Sequence, residues 1–377
     1  MPNGHHANPH PNLTALLNSR ITTGEFPSAV YIVAENGQVV FTDAIGDASR
    51  EPESHPATLE TIYDLASLTK PLVTGLLCAQ AIENGALRLD DPVAMYLDEF
   101  GREDKRSITI RQLATHTSGL PAWRPLYLLT DNRDRALAAI AAQTPEYRPG
   151  ERVIYSDLGF IVLGFLLQQV TLGSLAELAM KQIFTSLNLT HTFFNPAAAM
   201  RTGIAACETG NEYERDMCER DFPGQTYVGW RNEIIWGAVH DGNAYFLGGA
   251  AGHAGLFSTA DETLKLANQF VAGFSELLTP ATCELFRQNM TKGLNEARSF
   301  AWQLAATRDS TAGPRLPPDA FGHTGFTGTS CWIDPERQRV FILLTNRTHA
   351  RSRLFANINS VRREFHALAV AALESNK

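Results

Sequence analysis

Asp64-Leu65-Ala66-Ser67-Leu68-Thr69-Lys70 opens the stretch whose reading decides the fold. It continues through Pro71, Leu72, Val73, Leu76, Leu77, Cys78 and Ile82 to Asn84-Gly85. The spacing predicts a helix that is apolar nearly all round, and such a helix belongs inside a core. Proline is tolerated only in a first helical turn, so Pro71 places Ser67 at the helix N-terminus. Asn84-Gly85 supplies the C-terminal stop. Ser67 and Lys70, three apart, share one face. Of the six lysines in the chain, only Lys70 has a serine three residues before it. A serine hydroxyl is a weak nucleophile until a neighbour takes its proton. A lysine drawn into a buried helix loses solvation, and its pKa is expected to fall towards that of a useful base. The free amides of the helix N-terminus add positive field for developing negative charge. The bland alternative is a capping serine beside a surface lysine. The apolar surroundings weigh against it, because a buried lysine needs a partner or a job.

Outward from that helix, both ends of the chain propose strands. Ala29 to Ala34 and Val39 to Ile45 flank Glu35-Asn36-Gly37-Gln38, and Asn-Gly supplies the positive φ angles of a tight hairpin. A lone hairpin is unstable in water and needs further strands. Thr329 to Ile333 and Val340 to Thr345, turning over Asp334-Pro335-Glu336-Arg337, provide them, with Ser299 to Ala305 a weaker candidate. Helical spacing covers each terminus. Leu13, Leu16, Leu17 and Ile21 follow a cap at Asn12 or Thr14, and Leu354, Ile358, Val361, Phe365, Leu368 and Ala372 make one apolar face. The middle is mostly helical: Ile110 to Thr115, Ala136 to Gln143, Ser156 to Val170, and Asp261 to Val271 behind a Thr259-x-x-Glu262 capping box. The expected class is α+β. An antiparallel sheet from both termini is flanked by helices and carries an inserted, mostly helical lobe. The expected organisation is one domain over 11–377, with a sheet lobe at about 11–65 and 291–377 and a helical lobe at about 66–290. Residues 1–10, with His5, His6 and His10, are expected to be a disordered leader.

Two further stretches carry candidate chemistry. Tyr155-Ser156-Asp157 stands just before an apolar helix, where Ser156 or Asp157 serves equally as an N-cap and Tyr155 equally as core. Phe321-Gly322-His323-Thr324-Gly325-Phe326-Thr327-Gly328-Thr329-Ser330 runs into a strand, and its small residues let a substrate backbone lie along the edge or simply bend the strand. The Gly248–Gly255 run lacks the spacing of a phosphate loop and reads as a tight packing turn. There is no G-x-S-x-G, Walker A, G-x-G-x-x-G or H-E-x-x-H signature.

Ser67-x-x-Lys70, Tyr155-Ser156-Asp157 and His323-Thr324-Gly325, in that order, resemble the three motifs of the serine β-lactamase and penicillin-binding-protein superfamily. The branch is that of class C β-lactamases, DD-peptidases and β-lactamase-like esterases. Leu113-Ala114-Thr115-His116-Thr117-Ser118-Gly119-Leu120 and Gly252-His253-Ala254-Gly255-Leu256-Phe257-Ser258-Thr259 resemble recurrent loops of it, and the likeness spans roughly residues 15–370. The resemblance implies that Ser67 attacks a carbonyl and becomes acylated, while Lys70 and Tyr155 share the general-base work. It implies an oxyanion hole from the amides of Ser67 and Phe326. It implies a contact from Asp157 to substrate or to Lys70, substrate contacts from His323, Thr324 and Gly325, hydrolysis by water, and neither metal nor organic cofactor. Three departures stand out. His323 replaces the usual lysine and clamps a carboxylate less firmly when neutral. Asp157 replaces a common asparagine, and a carboxylate beside Lys70 raises that lysine's pKa. Phe326 replaces a smaller residue. His116 and His253 read as structural loop histidines with local hydrogen bonds, and Trp123 as a packing or pocket aromatic.

Composition narrows the partners. The 377 residues carry 32 basic and 40 acidic side chains, a net charge of −8, with no basic stripe for nucleic acid. Met1 to Asn12 shows neither a basic nor an apolar signal segment, and Phe160 to Leu167 is far too short for a membrane span. Cys78, Cys207, Cys218, Cys283 and Cys331 are scattered and odd in number, which suits reduced thiols and a cytoplasmic setting. The expected activity is cleavage of a small ester, amide or peptidoglycan fragment through acyl-Ser67. The rivals are a penicillin-recognising D-alanyl-D-alanine carboxypeptidase or β-lactamase, and a catalytically poor binding or sensing protein on the same fold.

Overall fold

A computed structural model describes residues 8–350 and 357–375. β1 (Ser28–Glu35) and β2 (Gln38–Ser49) form the expected hairpin, with Asn36 and Gly37 at φ 54° and 73°. Those two positive angles let the strands keep their natural twist through a two-residue turn. On its other side β1 pairs antiparallel with β9 (Arg339–Thr345), from Ala29 opposite Thr345 to Glu35 opposite Arg339. The two ends of the chain thus meet in the middle of one sheet. The full order is β3 (His55–Pro56), β2, β1, β9, β8 (Ser330–Asp334), β7 (Phe321–Thr324), β6 (Gln303–Leu304), antiparallel throughout.

Both faces of β1 are covered, which is why its sequence is apolar without alternation. Tyr31 and Val33 of β1, with Phe341 and Leu343 of β9, lie under the terminal helices Pro11–Thr22 and Asn359–Ser375, against Leu13, Leu17, Val361 and Phe365. Val30, Ile32, Ile342 and Leu344 face the helical part and meet the core around Leu68, Leu72 and Leu76. A residue shift of one would invert these two sets, so the burial itself fixes the register. The helices Ile110–Ala114, Ala136–Ala141, Asp157–Thr171 and Ala260–Asn268 stand close to their expected positions. Among the described residues no single helix is long and apolar enough to cross a membrane, and all five cysteines are free and buried.

Several expectations need correction. The helix from Ser67 to Asn84 is not one regular helix. It is a 3₁₀ turn over Ala66–Leu68, a π-helical stretch over Lys70–Gly75, then an α-helix over Leu76–Glu83. A π turn inserts an extra residue and re-aims side chains, a device common at functional sites. The N-terminal helix is capped at His10 rather than Asn12 or Thr14, because Pro11 begins the first turn without an N–H to satisfy. Only Gln303–Leu304 of the expected Ser299–Ala305 strand joins the sheet. Thr259 does accept from the Glu262 amide, but the Glu262 carboxylate turns away to bind the amides of Thr190 and His191 and the Thr192 hydroxyl. Residues 8–10, expected in a disordered leader, are fixed on β2: Asn8 pairs with Thr42, and His10 packs on Phe41 at 4.8 Å between ring centres. The rest of that leader, and Leu354 of the C-terminal apolar face, lie outside the described residues.

The Gly248–Gly255 run is a packing turn. Gly252 lies flat against the helix Asp157–Thr171, where an added methyl would strike the Phe160 carbonyl oxygen. Gly252→Ala is therefore expected to cost about 1–3 kcal/mol through forced backbone displacement. The midpoint of urea unfolding measures it; a midpoint equal to that of the wild type would show that the contact relaxes freely.

Candidate active site

The nucleophile candidate is set by a pinned turn. β4 (Tyr63–Asp64) pairs with β5 (Phe257–Ser258), and the buried Asp64 carboxylate accepts from the amides of Ala66 at 2.8 Å and His240 at 2.7 Å. Ala66 is held at φ 48°, a conformation alanine seldom adopts, immediately before Ser67. From the sheet side, Thr327 donates to the Asp64 carbonyl and Thr329 to the Leu65 carbonyl. Gly325 sits so close that an added methyl carbon would lie 2.5 Å from the Leu65 carbonyl oxygen. The His-Thr-Gly segment is thereby laid against the turn that presents Ser67. β6 pairs with β7 only at Phe321 and Gly322, so His323 and Thr324 lie beyond its reach and line cavities.

Lys70 is completely buried. Its ammonium donates to Ser67 Oγ at 2.9 Å and to the His253 carbonyl at 3.1 Å. Asp157 Oδ1 lies 2.7 Å away as an ion pair. The ammonium also stands over the Tyr155 ring, 4.8 Å from its centre. Burial alone would lower the Lys70 pKa, as expected from its helix. Asp157 first and Tyr155 second outweigh that effect, so the pKa is raised and Lys70 rests as an ammonium. Of the two opposing expectations, the one from the carboxylate at Asp157 prevails over the one from burial in the helix.

Tyr155 hydrogen-bonds through its hydroxyl to Lys70 and Ser67. Burial pushes its pKa up and Lys70 pulls the other way, leaving a neutral phenol. Ser156 is the cap of Asp157–Thr171: its hydroxyl accepts from the Gly159 amide and donates to the Pro121 carbonyl. His116, at φ 58°, accepts from the Ser156 amide at 3.0 Å and stacks against Tyr155 at 4.6 Å. His323 packs on Tyr155 from another side at 5.7 Å. Its Nδ1 donates to the Thr324 carbonyl at 2.9 Å, and burial, reinforced by Lys70, drives its pKa well below the usual histidine range. A neutral ring with Nδ1 committed leaves Nε2 as an acceptor.

His253 and His116 are not merely local loop residues. His253 spends Nε2 on Asp241 at 2.9 Å while its carbonyl holds Lys70, and His116 reaches forty residues along the chain. Sequence reading also missed several residues around the cavity of about 480 Å³ that contains Ser67, Tyr155, Asp157 and Trp123. Tyr213 and Met217 supply apolar wall beside Phe326, which the sequence had already marked. Glu214 and Asp241 form an acidic side, and Arg347 and Arg362 a basic one. Arg347 stacks on Phe326 at 4.9 Å and donates to its carbonyl at 2.6 Å. Arg362 donates to the carbonyls of Gly325 and Thr329. Burial, and then Arg347, push Arg362 down to about 9. No sequence signal marks these residues, since each acts through position alone. Among the described residues no group of three or more His, Cys, Asp or Glu is placed to hold a metal ion.

With this geometry the comparisons fall into place. The sequence model of the Beta-lactamase family matches residues 13–362. The chain belongs to the Beta-lactamase family. A "Putative D-alanyl-D-alanine carboxypeptidase" of Escherichia coli K12 is 31% identical over 352 residues, covering 86% of this chain and 79% of the relative. Among solved structures, a penicillin-binding-protein homologue from Caulobacter crescentus superposes with TM-score 0.74 at 21% identity, over 98% of this chain and 99% of that one. EstCE1, described as a hydrolase with promiscuous acyltransferase activity, gives TM-score 0.71 at 24% identity, over 94% and 97%. The fold is that of β-lactamases, and the protein is a hydrolase of the serine β-lactamase superfamily.

The acidic side generates a stability prediction. Glu214 accepts from the Tyr127 hydroxyl at 2.7 Å and the Gly242 amide at 3.0 Å, and burial, then Asp241, push its pKa from 4.5 up to about 7. A carboxyl whose folded pKa exceeds its unfolded value stabilises fully below pH 4.5, and that contribution is lost as pH rises to about 7. Wild type is therefore expected to lose on the order of 2 kcal/mol relative to Glu214→Gln between pH 4.5 and pH 8. Urea unfolding of both proteins across that range measures it, and parallel pH profiles would count against the assignment.

Proposed function

We propose that this hydrolase cleaves small esters or amides through an acyl-Ser67 intermediate. The observation that carries the reading is the Ser67 hydroxyl held at 2.9 Å from the wholly buried Lys70 ammonium, within a cavity large enough for a small acyl group. Ser67 Oγ attacks the carbonyl as its proton leaves through the Tyr155 and Lys70 pair, which takes it up only as it gives up a proton of its own. The backbone amides of Ser67 and Phe326 receive the oxyanion. The same pair returns a proton to the leaving group, and water then hydrolyses the ester to Ser67. His323 and Thr324 orient the leaving side, and the Trp123, Tyr213 and Phe326 wall takes an apolar acyl group. No cofactor is required by these steps.

A D-alanyl-D-alanine carboxypeptidase reading has its own support. Arg347 and Arg362 line the cavity beside Thr324 and Gly325, where a peptide's terminal carboxylate would find paired cations. The name of the Escherichia coli relative points the same way, towards a peptidoglycan-fragment substrate.

Ser67→Ala is expected to lose at least about a thousandfold in kcat/KM on p-nitrophenyl acetate and to form no acyl adduct by intact mass. Undiminished turnover in that variant would sink the acyl-Ser67 reading. Ligand binding that survives without any turnover in wild type would instead favour a sensing protein. If the carboxypeptidase reading holds, wild type releases D-alanine from a D-Ala-D-Ala peptide. Arg362→Gln should then raise KM for that peptide about tenfold, and by more than it raises KM for the neutral ester.

A further inference from the structure

The hydrogen-bond count at Lys70 poses a chemical problem. An ammonium has three donors and no acceptor site. One proton of Lys70 is spent on the His253 carbonyl, which can only accept, another on Ser67 Oγ, and the third lies between Asp157 Oδ1, 2.7 Å away, and the Tyr155 hydroxyl. A lysine so engaged can take nothing from Ser67 unless it first gives a proton away. Among the described residues Asp157 is the one carboxylate within ion-pair distance of it, at 2.7 Å. Asp157 is also the first residue of the fifteen-residue helix Asp157–Thr171.

We infer that Asp157 stores the Ser67 proton equivalent during acylation, with Lys70 as the relay. This rests on the acyl-Ser67 reading and extends it. As Ser67 Oγ forms its bond to the substrate carbonyl carbon, the Ser67 proton moves to Lys70 Nζ and one Lys70 proton moves to Asp157. Lys70 stays an ammonium, Asp157 becomes a neutral acid, and the negative charge it carried appears on the oxyanion. When the carbon to leaving-group bond breaks, the leaving group takes a proton from Lys70 through the Tyr155 hydroxyl, and Asp157 returns its proton to Lys70. No further reactant is needed. Asp157 acts through Lys70 and so positions the proton rather than touching substrate. The charged and titratable groups around the pair are Tyr155 beside them, His116 and His323 across Tyr155, Arg298 near both histidines, and His253 with Asp241 behind Lys70. Of these, His116 and His323 are driven well below the usual histidine range by burial, so neither ring changes charge near neutral pH.

The pH profile of kcat/KM on p-nitrophenyl acetate, a substrate with no titrating group, separates the alternatives by sign. If Asp157 is the store, the acid limb of wild type does not wait on Lys70 losing a proton. Asp157→Asn then depends on Lys70 losing a proton, and its acid limb moves up by about one pH unit or more. If a free Lys70 amine were the base in wild type, removing Asp157 would lower the lysine's pKa and move the acid limb down. A limb that moves down or stays in place overturns the proposal. Asp157→Glu, which keeps the carboxylate, is expected to hold the wild-type limb within about half a unit; a limb displaced upward as in the asparagine variant also overturns it. Intact-mass detection of the acyl adduct at pH 9 confirms that each variant is folded and acylated. Failure of wild type itself to form a Ser67-dependent adduct strikes the acyl-Ser67 reading, whereas normal adducts with unmoved limbs strike only the role of Asp157.

Discussion

A single buried ammonium organises this molecule. Lys70 has no exposure to solvent, and an unpaired charge at that depth would be ruinous for stability. Its partners come from three separate stretches: Ser67 from its own turn, Tyr155 and Asp157 from the entry to the central helix, and the His253 carbonyl from the glycine-rich loop. Holding these together places strict demands on everything around them. The loop can approach only because Gly252 has no side chain to strike Phe160. The helix can present Asp157 only because Ser156 caps it and is itself held by His116 and the Pro121 carbonyl.

The same demand explains the irregular backbone around Ser67. A regular α-helix from Ser67 to Asn84 would place Lys70 and Ser67 on one face but would not also bring the turn against β7. The strained Ala66, the 3₁₀ turn and the π stretch together aim both side chains into one cavity. The strain is offset by hydrogen bonds from Asp64, Thr69, Thr327 and Thr329, each to backbone of the turn. Two of them are local, and those from Thr327 and Thr329 come from the connection between β7 and β8, so the turn is completed only when that C-terminal hairpin packs against it.

Local chemistry was readable wherever neighbours in sequence are neighbours in space. Asn36-Gly37 specified its turn because only a few residues accept two positive φ angles. The face of Leu13, Leu16 and Leu17 specified a packed helix because spacing fixes which side chains share a side. The apolar helix around Lys70 announced a buried cation. Reading failed where an interaction skips along the chain. Glu262, with the spacing of a capping box, served the loop at Thr190–Thr192 instead. His253 and His116 looked like loop residues, yet one holds Lys70 and the other wedges Tyr155.

The sequence by itself determined the class of fold, the meeting of both termini in one sheet, and the pairing of Ser67 with Lys70 as candidate machinery, to which the family resemblance added Tyr155. Patterning, turn chemistry and short spacings are local properties, and the chain carries them whatever its tertiary arrangement. Only the tertiary structure decided the protonation of the site and the walls of its cavity. Glu214, Asp241, Arg347 and Arg362 have ordinary surroundings in the sequence, and become functional candidates only when folding sets them around one space. Charge at a buried site depends on distances of a few ångströms between residues far apart in the chain, and those distances are set by packing, not by order in the sequence.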